Sequence, residues 1–191
     1  MARVRLVEKD QAAPEVKEFF QKVESSGARV LNLYRAIAHS PQVFGNVVRL
    51  GSSLLTRTAL EPKLRELAIL RVAKLTGSEY EWTQHVPIAL EVGVTKEQVE
   101  AISNWKGAAA FSDVECAVLQ YTDEVARNVK VKDETFNSLK KYLSEQKIVE
   151  LTLSIGYWGM VARVLVPLQV EIEAQPVGKV SDLLGRRAER K

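Results

Sequence analysis

The feature that most constrains the fold is a pair of helical segments separated by a single turn. The segment EPKLRELAILRVAKLTG (61–77) has Pro62 suited to a first helical turn, Gly77 suited to a helix end, and an interior of good helix formers. The segment SEYEWTQHVPIALEV (78–92) follows at once, with Ser78 suited to an N-cap. Because the connection is so short, the two helices are predicted to lie side by side and antiparallel.

The rest of the chain also has the spacing of helices, and Pro167 ends the last of them. Strand-like alternation is confined to VEIE (170–173). The sequence therefore predicts an all-α bundle in a single domain. The further predicted helices cover 14–25, 30–39, 41–56, 95–104, 112–130, 133–145 and 147–165.

Composition excludes several classes of protein. The 191 residues are 46% hydrophobic and 27% charged, which is ordinary for a soluble globular domain. Cys116 is the single cysteine, so no internal disulfide can form, and the N-terminus lacks a secretory apolar region. We expect a cytoplasmic protein without a membrane span. The net charge of +3 comes from the tail 185–191, so we expect no nucleic acid partner.

Two titratable side chains of the predicted hairpin lie at a similar height above its turn. Glu66 precedes the turn by about ten residues and His85 follows it by about eight, or roughly 15 and 13 Å at 1.5 Å per residue. Each projects among apolar neighbours at helical spacing. Buried polar groups need partners, so Glu66 and His85 are predicted to contact each other. The opposite face of the second helix carries Tyr80 and Gln84.

Structural interpretations of the same residues stay open at this point. Ser78 and Glu81 are spaced as in a capping box, in which the carboxylate reaches back to the N-cap amide. Glu66 could instead pair with an arginine such as Arg71 or Arg163. Glu81 and His85, four residues apart, could form a contact that stabilises the helix by a few tenths of a kcal/mol.

The segment ALEPKLRELAILRVAKLTGSEYEWTQHVPIALEVGVTKEQVEAI (59–102) resembles the carboxymuconolactone decarboxylase family, which includes alkylhydroperoxidase D. The resemblance continues more weakly on both sides. It implies an all-α fold and assembly into homotrimers or homohexamers. It also suggests a division of the chain into an N-terminal helical extension packed on the core, the core itself, and a C-terminal arm or tail, at 1–58, 59–168 and 169–191.

The peroxidase branch of that family carries a glutamate, a CxxC pair and a histidine at fixed spacing. Laid on this sequence, the glutamate is Glu66, the histidine is His85, and the cysteine positions hold Ser78 and Glu81. Peroxide reduction in that branch needs an attacking thiolate and a resolving thiol. Cys116 lies on another predicted helix, so a dithiol peroxidase is not expected.

The decarboxylase branch lacks the CxxC pair as well, so the resemblance points toward it. Loss of carbon dioxide from a carboxymuconolactone leaves an enolate that must be protonated, and the substrate itself holds the electrons, so no cofactor is expected. By resemblance, His85 would donate or relay the proton, Glu66 would orient it, and Glu81 would be a second acid or base. The side chains expected to bind the small-molecule substrate are Trp82, Ser78, Arg71 and Tyr80.

Two alternatives remain at the level of sequence. The chain could be a non-catalytic small-molecule-binding or assembly protein, in which Glu66 and His85 form only a structural hydrogen bond. Glu66, Glu81 and His85 could in principle hold a non-haem metal, but the resemblance offers no precedent, and we expect no metal. An open pocket beside His85 would favour an enzyme, and a closed core would favour a scaffold.

Overall fold

The computed structural model describes residues 2–174, and within them the predicted all-α class is confirmed. A short 3-10 helix, Ile102–Asn104, follows α6. The α-helices of this part of the chain are α1 (Pro14–Ser25), α2 (Asn32–Ile37), α3 (Pro41–Thr56), α4 (Pro62–Thr76), α5 (Glu79–Glu91), α6 (Lys96–Ala101), α7 (Asp113–Asn128), α8 (Asp133–Lys140) and α9 (Glu145–Leu165).

Helix α4 is the centre of the bundle. Every residue from 64 to 73 is buried, because α5, α7 and α9 pack around it. Gly77 ends α4 with a φ of +67°, a left-handed conformation that glycine adopts without strain. Ser78 then caps α5, since its Oγ accepts a hydrogen bond from the backbone N–H of Glu81 at 3.4 Å. The Glu81 carboxylate makes no return hydrogen bond, so only half of the possible capping box forms.

Helix α9 is the longest element and packs against α3, α4, α7 and α8. Among the described residues it is the one helix long and apolar enough to cross a membrane, although the sequence had indicated no such span. Half of its most apolar 18-residue stretch is buried inside the protein. Leu151, Ile155 and Trp158 join the main apolar core between α4 and α7. We interpret α9 as a core helix.

The N-terminal helices form a second apolar cluster of their own. Val16 and Phe20 of α1 pack against Phe44 of α3, and Phe19 and Tyr34 meet edge to face with ring centroids 5.2 Å apart. Helix α3 also contacts α9. These N-terminal helices therefore rest on the bundle through α3, and Ala36 of α2 packs against α5 and α9 residues.

The described start of the C-terminal segment packs back onto its own chain. Val170 is buried against α2, α5 and α9 residues. Glu173 accepts hydrogen bonds from the backbone N–H of Asn32 at 2.6 Å and from the hydroxyl of Tyr80. The rest of the predicted arm, 175–191, lies outside the described residues.

Candidate functional site

Glu66 of α4 and His85 of α5 are in direct contact, as their positions about the turn suggest. His85 Nδ1 lies 2.8 Å from Glu66 Oε2. Glu66 is fully buried, and its other oxygen accepts a hydrogen bond from Arg65 Nε at 3.2 Å. The arginine that contacts Glu66 is thus the preceding residue, Arg65. The alternative partners suggested by the sequence bond to other groups, Arg71 to Asp123 and Arg163 to the Gly159 carbonyl.

The second ring nitrogen of His85 is also occupied. Trp158 Nε1 of α9 donates a hydrogen bond to His85 Nε2 at 2.8 Å, and the two rings are nearly perpendicular, at 87°. An indole N–H can only donate, so Nε2 accepts and the ring proton lies on Nδ1, directed at Glu66. His85 is therefore a neutral imidazole held from both sides, with no ring N–H left for a ligand.

A cavity of about 650 Å³ lies beside His85. It is enclosed by α5 and α9 on one side and by the N-terminal helices α1 to α3 on the other. Its volume falls within the usual range for small-molecule sites. Its wall is mainly apolar, and includes Phe19, Leu31, Val48, Leu55, Ile88, Val161 and Leu165.

Glu81 is the unusual side chain of this cavity. It lines the wall, it is only 2% exposed, and neither of its carboxyl oxygens makes a hydrogen bond with another residue of the described chain. Burial in the cavity wall raises the pKa of Glu81 to about 7. Near neutral pH the group therefore exists both as an acid that can donate a proton and as a base that can accept one.

Three tyrosines share the cavity with Glu81. Burial raises the pKa of Tyr34 to about 12, and it also raises the pKa values of Tyr80 and Tyr157, so all three hydroxyls are neutral at neutral pH. Tyr157 donates a hydrogen bond to the Val47 carbonyl at 3.0 Å. These rings add neutral, weakly polar surface to an otherwise apolar wall.

The polar face predicted for α5 is in fact buried. Tyr80 and Gln84 are 5% and 7% exposed, because the N-terminal helices and the C-terminal segment cover them. Glu173 satisfies both: it accepts from the Tyr80 hydroxyl and, at 2.6 Å, from Gln84 Nε2. Tyr80 thus lines the cavity, but its hydroxyl is already committed.

Three of the predicted substrate-binding residues lie outside the cavity wall. Ser78 is the N-cap of α5, and Trp82 packs under the Nζ of Lys74, 3.6 Å from the ring centre. Arg71 is buried in an ion pair, with its Nη2 3.0 Å from Asp123 Oδ2, and its Nη1 donates to two backbone carbonyls. The predicted role of Arg71 in substrate binding is therefore not supported by its position.

Sequence reasoning missed most of the cavity wall. The N-terminal helices contribute Phe19, Tyr34 and Val48, and α9 contributes Tyr157 and Trp158. The segment SIGYWGMVARV (154–164) by itself indicates only core or subunit-interface roles for the two α9 aromatics. Their side-by-side position in an apolar helix flanked by glycines was the available signal, but it did not indicate a cavity.

The cavity has few side chains suited to redox chemistry or to metal binding. Cys116 packs near Phe111 and Leu119, away from the cavity, and burial and two neighbouring carboxylates raise the pKa of its thiol. Within residues 2–174 no group of three or more His, Cys, Asp or Glu side chains is arranged to hold a metal ion.

The fold and the cavity define an alkylhydroperoxidase D-like helical protein with no cysteine pair at its site. Residues 41–124, from α3 into α7, match the family model for the carboxymuconolactone decarboxylase family. The comparison with curated proteins found no match.

Solved structures share the fold at low sequence identity. An uncharacterised peroxidase-related protein from Ralstonia eutropha has a TM-score of 0.80 at 16% identity, covering 97% of this chain and 96% of that chain. A putative antioxidant defence protein of unknown function from Agrobacterium tumefaciens has a TM-score of 0.68 at 23% identity, covering 73% and 96%. A cysteine-to-alanine variant of the debrominase Bmp8, bound to 2,3,4-tribromopyrrole, has a TM-score of 0.75 at 19% identity, covering 90% and 91%.

Proposed function

We propose that this protein is a cofactor-independent enzyme that moves a proton to or from a small, largely apolar carbonyl compound, with or without loss of carbon dioxide. The observation that carries this proposal is Glu81: a buried carboxyl group, without a hydrogen-bond partner, in the wall of a cavity large enough for a small molecule. A pKa of about 7 suits it to general acid–base catalysis near neutral pH.

The proposed step uses one proton and no electron acceptor. When the C–C bond to a carboxylate breaks next to a carbonyl, carbon dioxide leaves, and the electron pair moves onto the carbonyl oxygen and forms an enolate. The acid form of Glu81 then gives its proton to the enolate carbon, and the carboxylate recovers a proton from solvent. The base form of Glu81 would run the reverse step by removing a proton from carbon.

His85 is proposed as a positioning residue rather than the proton donor that the resemblance implied. Both of its ring nitrogens are engaged, by Glu66 and by Trp158. It would have to break one of these buried hydrogen bonds to reach a substrate. Its place one helical turn from Glu81 lets it hold the shape of that end of the cavity.

The substrate is expected to be less charged than a carboxymuconolactone with several carboxylates. The cations that line the cavity, Lys22 and Arg29, are exposed at its edge, and the wall near Glu81 is aromatic and aliphatic. A carboxylate placed deep in the cavity would be desolvated without a cation beside it. A single acidic group at the edge is compatible with this arrangement.

The test is a mass-spectrometric and NMR screen of lactones, keto acids and other enolisable carbonyl compounds in heavy water. We expect solvent deuterium to enter a carbon position, or carbon dioxide to be released, with the parent protein. Glu81→Gln should lose this activity. Glu79→Gln, which changes an exposed carboxylate on the same helix, should keep it. Equal activity in Glu81→Gln and the parent would refute the proposed role.

The second candidate is a non-catalytic small-molecule-binding protein on the same scaffold. The closed Glu66–His85–Trp158 chain favours it, because these groups satisfy one another as a structural network does. Saturable binding by the parent, with no turnover of any bound compound, would support this candidate. Thiol-dependent peroxide turnover is expected under neither, since Cys116 lies outside the cavity.

A further inference from the structure

On the side of the cavity formed by α5 and α9, Glu81 is the polar side chain without a hydrogen-bond partner. On α5 and α9, every other polar side chain that lines the cavity has a partner. His85 and Trp158 bond each other, and the partners of Tyr80, Gln84 and Tyr157 are Glu173, Glu173 and Val47. Both oxygens are closed off from solvent in the free protein. A buried carboxyl without a partner costs free energy, so a ligand toward which the Glu81 side chain turns gains hydrogen bonds that the free protein lacks.

A neutral carboxyl group presents a donor and an acceptor about 2.2 Å apart, on the two oxygens of one planar group. The complementary partner is another planar group with an acceptor and a donor on adjacent atoms. Two such groups form a pair of parallel hydrogen bonds, which adds direction as well as affinity. An ester or a tertiary amide has the acceptor but lacks the donor.

We propose that the ligand of this cavity is an uncharged molecule with an apolar body and a terminal carboxamide, lactam or undissociated carboxylic acid, which pairs with Glu81 through two parallel hydrogen bonds. This inference rests on the proposed function for the location of the site and adds the chemical class of what enters it. The apolar body occupies the space between α1 to α3 and α5 to α9, where aliphatic and aromatic side chains form the wall.

The protonation state of Glu81 controls this pairing. An ionised carboxylate has two acceptors and repels the carbonyl oxygen of an amide, so binding weakens as Glu81 loses its proton. The titratable or charged groups that share the cavity wall with Glu81 are His85 and Tyr80 on its own helix, Tyr157 on α9, and Tyr34, Lys22 and Arg29 from the N-terminal segment. The tyrosines stay neutral up to high pH, because burial raises their pKa values.

The experiment compares three probes with one apolar body: p-butylbenzamide, its N,N-dimethyl derivative and methyl p-butylbenzoate. Calorimetry gives the Kd of each for the parent protein, for Glu81→Gln and for Glu81→Leu. Glutamine keeps a donor beside an acceptor without a titratable proton, and leucine keeps the volume but loses both. Thermal melts and circular dichroism of each variant show that the fold is intact.

We expect the parent at pH 6 to bind the primary amide about tenfold more tightly than the other two probes, as expected for one or two net hydrogen bonds. Glu81→Gln should keep this preference and Glu81→Leu should lose it. Between pH 6 and pH 9 the preference should fall in the parent and persist in Glu81→Gln.

Equal affinities of the parent for the three probes, the same preference in Glu81→Leu, or no binding of any probe would each overturn the inference. Its failure can be told from failure of the proposed function. Loss of the amide preference with deuterium exchange intact refutes only the ligand class. Selective binding with no turnover of any carbonyl compound refutes only the enzymatic step.

Discussion

Trp158 donates its indole proton to Nε2 of His85 across 2.8 Å, and so fixes which nitrogen of the histidine carries the proton. The other nitrogen, Nδ1, donates to the fully buried Glu66. Three helices, α4, α5 and α9, are joined by this chain of two hydrogen bonds. It forms one end of the cavity and leaves Glu81 as the neighbouring group that can exchange a proton with a ligand.

The tautomer of His85 gives the first prediction. Nitrogen-15 NMR of the histidine rings should show Nδ1 of His85 as protonated and Nε2 as an unprotonated acceptor. Trp158→Phe should shift the Nε2 signal, because it loses its donor, while Trp82→Phe should leave it unchanged, since Trp82 contacts Lys74 instead. The other histidine, His39, is exposed and is identified by its loss in His39→Gln. A proton found on Nε2 in the parent would contradict the assigned network.

Glu81 makes the stability of the protein depend on pH. Its pKa is about 7 in the folded protein and 4.5 in the reference state, so between these values the native state holds a proton that the unfolded chain has lost. Stability should therefore fall as pH rises through this window, and level off above it. The loss is on the order of 3 kcal/mol, at 1.36 kcal/mol per pKa unit.

Urea denaturation of the parent and of Glu81→Gln at pH 5 and pH 8 measures this loss. From pH 5 to pH 8 the free energy of unfolding should fall more in the parent than in Glu81→Gln, because glutamine does not titrate. Glu61, Glu115 and Glu124 have lowered pKa values, so their contributions are lost only at more acidic pH and do not interfere. Parallel pH profiles for the two proteins would argue against a buried, titrating Glu81.

The sequence was sufficient for the helices and for one side of the site. Pro62 and Gly77 mark the ends of α4 through local backbone preferences, and the single turn after it places Glu66 beside His85. These features depend on residues close together in the chain. The pairing of the two side chains then follows from the rise per residue of a helix.

The remaining part of the site depends on contacts between distant segments, which local patterns do not encode. Tyr80 and Gln84 have the spacing of an exposed face, yet Glu173, about ninety residues later, covers them. The partner of His85 Nε2 is Trp158, which is 73 residues away in the chain. An amphipathic pattern assumes that one face of a helix is exposed to water. In α5 both faces are covered by other parts of the protein.

An exposed apolar stripe on α9 leads to a prediction about assembly. Val149, Leu153 and Met160 are 57%, 50% and 40% exposed, and their spacing of four and seven residues puts them on one helix face. We propose that copies of this chain associate through this face into the trimer or hexamer that the resemblance implied.

Leu153→Glu should reduce the molar mass in light scattering to that of a smaller species. Tyr142→Glu, at a similarly exposed apolar position off α9, should not. A parent protein that is monomeric at high concentration would contradict the proposal.

Gly51 gives a prediction that links stability to the cavity. A Cβ at position 51 would lie 2.3 Å from the Tyr157 hydroxyl, which closes the cavity wall and bonds to Val47. Gly51→Ala should therefore displace Tyr157 and destabilise the protein by about 1–3 kcal/mol, the usual cost of overpacking. Gly45→Ala, in the same helix with open space around it, should instead stabilise by roughly 0.5–1 kcal/mol, because alanine is the better helix former. Adding Tyr157→Phe to Gly51→Ala should recover part of the loss, since it removes the atom nearest the new methyl group.

Urea denaturation of the parent, the two glycine variants and the double variant measures these differences in stability. A Gly51→Ala variant as stable as Gly45→Ala would show that Tyr157 does not occupy this position.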